Sequence, residues 1–201
     1  MTAAVLTADI VNSTQLPPDQ SSELRRTLEV IFDKQRLEFY RGDSFQALIA
    51  KPGEALRAAL QARSLARGLG ISHDVRCSIG LGRVAGAAGR LATASDEAFV
   101  LSGRAFDNLG EERRLAIVSA VEEHNTALRL LAAYADRLFR QLTAKQASVV
   151  FELLSGRTQT EAAATLHVTQ ATVSSHAQSA GWTEIEYLLS EYEALCASLK
   201  N

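Results

Sequence analysis

Apolar and polar positions run in blocks along the first hundred residues, and the period changes from block to block. Ala4-Val5-Leu6-Thr7-Ala8-Asp9-Ile10-Val11 is an almost continuous apolar run of strand length, closed by the turn-forming Asn12-Ser13-Thr14 and by Pro17-Pro18. Leu24, Leu28, Ile31, Phe32 and Gln35 then recur at helical spacing. Glu38 to Ile49 predicts two strands around Arg41-Gly42-Asp43, a hairpin. Gly53 to Leu69, rich in Ala, Leu and Arg, predicts a helix; Val75 to Leu81 predicts a further strand and Glu97 to Leu109 another helix. The order βαββαβα predicts an α/β (α+β) fold, a ferredoxin-like sandwich of strands and helices in two layers.

From Leu115 to Leu142 the apolar residues keep helical spacing without Gly or Pro, which predicts one connecting helix that also dimerises. Beyond it the signals are helical only. Thr143 is placed as the N-cap of a helix through Val149, Val150, Leu153 and Leu154, stopped at Gly156. Thr158-Gln159-Thr160-Glu161 opens a short helix ending at Leu166, His167-Val168-Thr169 is a turn, and Gln170 to Ser179 is the next helix. Trp182 and Tyr187 pack a last helix onto these. The breaks divide the chain into residues 1–110, 111–141 and 142–201.

Composition adds exclusions. Of the 201 residues 47% are hydrophobic and 22% charged, an ordinary globular balance, and 21 basic residues face 23 acidic ones. No global charge excess drives the chain onto nucleic acid or membrane. No apolar run approaches the ~18–20 residues of a membrane span. Met1 to Val5 carries no basic n-region and reads as a first strand, so a soluble, cytoplasmic protein is expected. Cys77 and Cys196 have no CxxC or His partner at ligand spacing and read as buried small hydrophobes. His73 and His124 read as exposed turn and helix positions. Residues 141–201 hold three basic residues against six acidic, so the C-terminal part is the acidic one.

Two carboxylates stand out by position. Asp9 ends an apolar strand, where it is costly unless paired, hydrogen-bonded or metal-bound, and Asp43 follows Gly42 at the hairpin tip. Brought together, two such oxygen donors suit Mg²⁺ or Mn²⁺ completed by phosphate oxygens, with Asn12, Ser13 and Thr14 supplying backbone N–H groups to phosphate. The plainer reading is a turn cap at Asp9 and an ordinary hairpin at Asp43.

Three blocks resemble, in order, motifs of class III nucleotide cyclase domains: Thr7-Ala8-Asp9-Ile10-Val11-Asn12-Ser13-Thr14, Arg41-Gly42-Asp43-Ser44-Phe45-Gln46 and Arg76-Cys77-Ser78-Ile79-Gly80-Leu81-Gly82. A fourth, Ser95 to Ala105, stands where those cyclases carry their catalytic Asn and Arg. The same four blocks are similar to the SatD family of short bacterial proteins, over residues 3–109. The resemblance implies a cyclase-like sandwich, with Asp9, Asp43 and the Ile10 carbonyl as metal ligands. It implies Gly42 and Arg104 at the phosphates, and Arg104 as the catalytic group if the domain is active. The Asn position is Val100, which cannot hold a ribose or orient a hydroxyl, and Thr93 stands near the purine-reading position. The expectation is a domain that binds a nucleotide-like ligand, with or without metal, and does not cyclise it.

The run from Thr158 to His176, with Gln159, Glu161, Ala163, Val168, Thr169, Thr172, Val173 and Ser174 in place, resembles the helix-turn-helix of LuxR-type regulators and sigma-factor region 4. That resemblance implies Gln170 to Ser179 as the recognition helix in the major groove of double-stranded DNA. Gln159, Thr160, Gln170, Thr172, Ser174, Ser175 and His176 are then the DNA-contacting residues. The helix holds no Lys or Arg, so basic help must come from Lys145, Arg157, Arg137 or Arg140 and from dimerisation. The function expected is a homodimeric one-component transcriptional regulator. The alternatives are an active divergent cyclase under C-terminal control, and a helix-turn-helix kept for protein contacts.

Overall fold

The computed structural model describes residues 1–32, 36–40, 42–85, 91 and 95–199. Strand β1 (Thr2–Val11) is apolar at nearly every position, so neither of its faces can lie against water. Ala4, Leu6, Ala8 and Ile10 enter one buried cluster while Ala3 and Val5 enter another, because the pleat sends alternate residues to opposite sides. The strand is accordingly central. The sheet order is β2 (Arg36–Tyr40), β3 (Ser44–Ile49), β1, β4 (Asp74–Arg83), β5 (Leu115–Ser119). The β4–β5 pair is parallel and the other pairs are antiparallel.

Helices α1 (Pro18–Ile31) and α2 (Ala55–Gly68) cover one face through residues such as Leu24, Leu28, Leu56 and Leu60. Helix α3 (Glu97–Asp107) covers the other with Ala98 and Phe99. The sheet therefore carries helices on both faces, where the element order predicts two layers. The cause is the double-sided apolarity of β1. Under α3, Ser78 Oγ donates to the Ser102 carbonyl at 2.7 Å, Gln46 Nε2 donates to Thr7 Oγ1 at 3.1 Å, and the Thr7 and Ser102 hydroxyls bond each other.

The single helix predicted over Leu115 to Leu142 is two elements. Leu115–Ser119 is β5, and α4 starts only at Asn125 (Asn125–Gln141). Burial alternates along β5, but Ala116 and Val118 between the buried residues are apolar as well, which hides the period of two in the sequence. The sheet thus continues beyond residue 110. The change of element is fixed by the Asn125 carboxamide, which accepts from the Ser119 N–H at 2.8 Å and donates to the Ser119 carbonyl at 3.0 Å.

Helices α5 (Ala144–Leu154), α6 (Gln159–Leu166), α7 (Gln170–Ser179) and α8 (Trp182–Ser198) follow close to the expected bounds. Thr143 with Gln146 and Thr158 with Glu161 form capping boxes, each cap contributing about 1 kcal/mol. Gly156 at φ +84° and His167 at φ +53° stop α5 and α6 in the left-handed region. Helix α5 is buried on two sides: Ala147, Val150 and Leu154 join the main core, while Val149 and Leu153 pack with Ala162, Ala163, Val173 and Ala177. Ile185, Leu188 and Tyr192 of α8 also join the main core, and the Tyr192 hydroxyl donates to the Pro52 carbonyl at 3.0 Å. One apolar core therefore crosses the break read at residue 141.

The seam between sheet and helices is polar. Arg63 on α2 is fully buried between Asp74 and Asp136, and Arg67 Nη2 donates to the carbonyls of Arg140 and Leu142 where α4 passes into α5. His73 is buried rather than exposed. Both cysteines are free and buried, and burial pushes the Cys77 thiol up to about 12 and the Cys196 thiol up to about 11, so both stay protonated at neutral pH. No helix among the described residues is long and apolar enough to cross a membrane.

Candidate functional site

The β1 register sets Asp9 opposite Ser44 on β3 and Arg76 on β4, and the pleat sends all three side chains to the α3 side of the sheet, just past the end of α3. The β2–β3 hairpin turns back there through Gly42, whose φ of +86° is a conformation few other residues adopt. The turn brings Asp43 to β1, where its carbonyl accepts the Ile10 N–H at 3.3 Å. Ser13 Oγ donates to Asp43 Oδ2 at 2.6 Å, and Ser44 Oγ donates to Asp9 Oδ1 at 3.3 Å. Asn12 holds a left-handed turn (φ +57°) and its Nδ2 donates to the Ser72 carbonyl at 2.6 Å. Asp9, Ile10, Asn12, Ser13, Thr14 and Asp43 together line an open cavity of about 430 Å³.

Arg76, Glu111 and Arg114 line the same cavity, and sequence reading assigned a role to none of them. Arg76 is the only charged residue in the run Val75 to Leu81, which is the signal that marks it. Its guanidinium lies 4.8 Å from the Phe106 ring centre and donates to the carbonyls of Phe106 and Leu109, so the end of α3 holds it at the cavity wall, where its charge acts on Asp9. Arg104 does not line this cavity, and neither does Gly42; Arg104 is exposed on α3, one turn after the exposed Val100. Thr93, Arg41 and Gln35 lie outside the described residues.

Burial raises the Asp9 carboxyl above the ordinary carboxylate range, and the negative charge of Asp43 raises it further, against the Ser44 hydroxyl and Arg76. An acid whose folded pKa is raised stabilises the fold while protonated, and that contribution is lost as pH rises through the folded value. Asp9→Asn is therefore expected to be more stable than the wild type at neutral pH, with the difference closing as pH falls. Urea unfolding of both proteins between acid and neutral pH checks this; equal pH profiles would contradict it.

The donor set bears on a metal. Among the described residues no three His, Cys, Asp or Glu side chains come within metal-holding range, so the carboxylate donors brought together are Asp9 and Asp43, with backbone oxygens beside them. That set is of the hard-oxygen type Mg²⁺ and Mn²⁺ use when phosphates and waters complete their shell.

A second surface lies on α6 and α7. Val173 and Ala177 face inward, and Gln170, Ala171, Ser174, Ser175 and Gln178 are exposed together. Gln170 Nε2 donates to Gln159 Oε1 at 3.1 Å, which ties the starts of the two helices to each other. Thr160 is exposed beside Gln159; Thr172 shares its hydroxyl with the N-cap Thr169 at 2.8 Å, and His176 is half-buried on the flank. Of the expected cationic helpers, Arg157 is engaged with Glu152 and Thr165, and Arg140 with the Glu112 carbonyl and Asp136. Lys145 and Arg137 are exposed.

No protein-family model matches this chain, and no curated protein matches it either.

Proposed function

We propose that this chain is a DNA-binding regulator in which α6 and α7 form a helix-turn-helix and the cavity at Asp9 and Asp43 receives a nucleotide-like ligand through its phosphates, with Mg²⁺ or Mn²⁺. The observation that carries the reading is the face of α7: five exposed small or amide residues with no charge, presented by a helix capped at Thr169 and seated on α5 by Val173 and Ala177. Such a face enters a major groove without electrostatic penalty, and Gln170 suits the paired donor and acceptor of adenine. The ferredoxin-like, cyclase-like reading of the N-terminal part rests on the acidic pair at adjacent strand ends. Val100 and the outward Arg104 support binding without turnover.

The two sites are joined through ordinary contacts. Arg114 lines the cavity, its N–H donates to Asp136 on α4 at 3.2 Å, Asp136 pairs with Arg63, and Arg67 holds the α4–α5 junction. A ligand moves the helix-turn-helix by as much as its affinity differs between two arrangements of these parts. A homodimer places two recognition helices on one duplex and doubles the sparse basic residues.

Selection of the full chain against a random duplex pool at low salt, followed by fluorescence anisotropy, tests the DNA reading. Enrichment of one sequence is expected, with Gln170→Ala losing about 1–3 kcal/mol of preference at one position and Lys145→Ala weakening all sequences alike. Absence of any enrichment overturns it. For the cavity, thermal unfolding with ATP or GTP is expected to rise only when Mn²⁺ is present. At one hundred times the dissociation constant the gain is about 2.7 kcal/mol, and it disappears in Asp9→Asn.

A further inference from the structure

Among the described residues no strand pairs with the outer edge of β5, and the protein has already answered part of that edge with a side chain. Cys77 N–H donates to the Arg114 carbonyl at 2.8 Å and Ala120 N–H to the Leu81 carbonyl at 2.9 Å, while the register sets Cys77 beside Leu115 and Leu81 beside Ser119. In a parallel ladder alternate residues turn both backbone groups to one neighbour, so those of Leu115, Ile117 and Ser119 point away from β4. Ser119 is closed by Asn125, whose carboxamide meets its N–H and its carbonyl as a neighbouring strand would. Leu115 and Ile117 instead open into a cavity of about 540 Å³ between α3 and α4. Its walls are kept apart by small residues, Ala105 on α3 and Ala132 and Ala133 on α4.

We infer that this groove binds an extended peptide segment of another protein, which adds to β5 as a sixth strand and carries acidic side chains at its two ends. The backbone of Leu115 and Ile117 supplies the hydrogen bonds, the β-addition mode of peptide recognition. Charge selects the occupant. Arg113 lies before β5 with no partner for its guanidinium among the described residues, and Arg129 on α4 bonds only the Thr126 hydroxyl at 3.0 Å. The acids in the lining are already engaged: Asp136 pairs with Arg63, and Glu122 accepts from Asn125 Nδ2 at 3.0 Å. A second copy of this chain is disfavoured, because edge-to-edge pairing would bring two sets of these arginines together and meet Asn125 at Ser119. Asn125 stands at Ser119 and Asp136 at Arg114, so α4 runs antiparallel to β5, and Arg129, about 6 Å along the helix from Asn125, comes level with Ile117. Arg113 precedes Ile117 by about 13 Å of extended strand, so the acidic residues of the guest stand about four apart.

The test is panning of a random dodecapeptide display library on the full chain, with the enriched peptides resynthesised for calorimetry. Enriched peptides are expected to carry two carboxylates about four residues apart around β-branched residues. Binding should weaken about tenfold or more in Ala133→Trp, which plugs the groove from an exposed position, and in Arg129→Glu, with the unfolding midpoint of each variant unchanged. N-methylation of alternate peptide amides should abolish binding in one phase and spare it in the other, the signature of strand addition that a side-chain pocket would not give. Enrichment of basic peptides, no enrichment, binding insensitive to Ala133→Trp, or a dimer that Ala133→Trp converts to monomer would each overturn the inference. The result is independent of whether the chain binds DNA or nucleotide.

Discussion

Arg63→Met is expected to destabilise the chain by about 3–5 kcal/mol, because it takes the bidentate partner from the buried Asp74 and leaves the buried Asp136 only the half-exposed Arg140 at 3.7 Å. The Arg63 side chain is 0% exposed and donates to both oxygens of Asp74, at 2.9 and 2.8 Å. A third guanidinium nitrogen lies 2.8 Å from Asp136 Oδ1, off the hydrogen-bonding direction, and the Phe139 ring closes the site at 5.6 Å. Burial works against the charge, and Asp74 and Asp136 outweigh it, so the guanidinium pKa lies above the ordinary arginine value. Met matches the apolar stem but gives the acids nothing, and Arg67, 3.7 Å from Asp74, is already committed to carbonyls at the α4–α5 junction. Asp136→Asn should cost much less, since Arg63 keeps both of its bonds to Asp74 and the amide oxygen can still accept from the Arg114 N–H. Urea unfolding with an unchanged m-value measures both variants. A loss below about 1 kcal/mol for Arg63→Met would mean water reaches the cluster.

That cluster was invisible in the sequence for a physical reason. Arg63 and Arg67 stand in an Ala/Leu/Arg helix, where an arginine ordinarily marks the solvated side; only the fold shows that α2 is buried nearly all round, by the sheet, α5 and α4. β1 and the hairpin were legible because their turns are written locally, in Asn12 to Thr14 and at Gly42. The cap at Thr143 was legible likewise, and so were the helix starts that follow Thr158 and Thr169, since a cap is a rule about neighbours three residues apart. β5 was not, because an edge strand apolar at four consecutive positions, Leu115 to Val118, is locally indistinguishable from a turn of helix. The candidate site divides the same way. Asp9 announces itself as a carboxylate in an apolar strand. Arg76 and Arg114 join it only through strand register and through the packing of α3, which no local pattern encodes.

Gly80→Ala is expected to cost about 3 kcal/mol, toward the upper end of what overpacking does in a well-filled interior. A Cβ on Gly80 would sit 2.4 Å from the Ala98 carbonyl oxygen and 2.5 Å from the Ser102 nitrogen, both backbone atoms of α3 that no rotamer can move. Helix α3 rests directly on β4 at this point, and one methyl group must lift the helix off the sheet. The neighbouring glycines grade the effect. At Gly82 the nearest atoms are a Glu97 carboxylate oxygen at 3.0 Å and the Ala98 nitrogen at 3.1 Å, so Gly82→Ala should cost about 1 kcal/mol. Gly103 lies within α3 with nothing within 4 Å of its Cβ position, so Gly103→Ala should gain up to about 1 kcal/mol from helix propensity alone. Lifting α3 also moves the carbonyls of Phe106 and Leu109 that hold Arg76, so Gly80→Ala should weaken the nucleotide-dependent thermal shift beyond its effect on stability. Thermal and urea unfolding of the three variants read the order directly. A Gly80→Ala protein as stable as Gly103→Ala would show that α3 is not seated on β4, and the contacts that hold Arg76 at the cavity wall would fall with it.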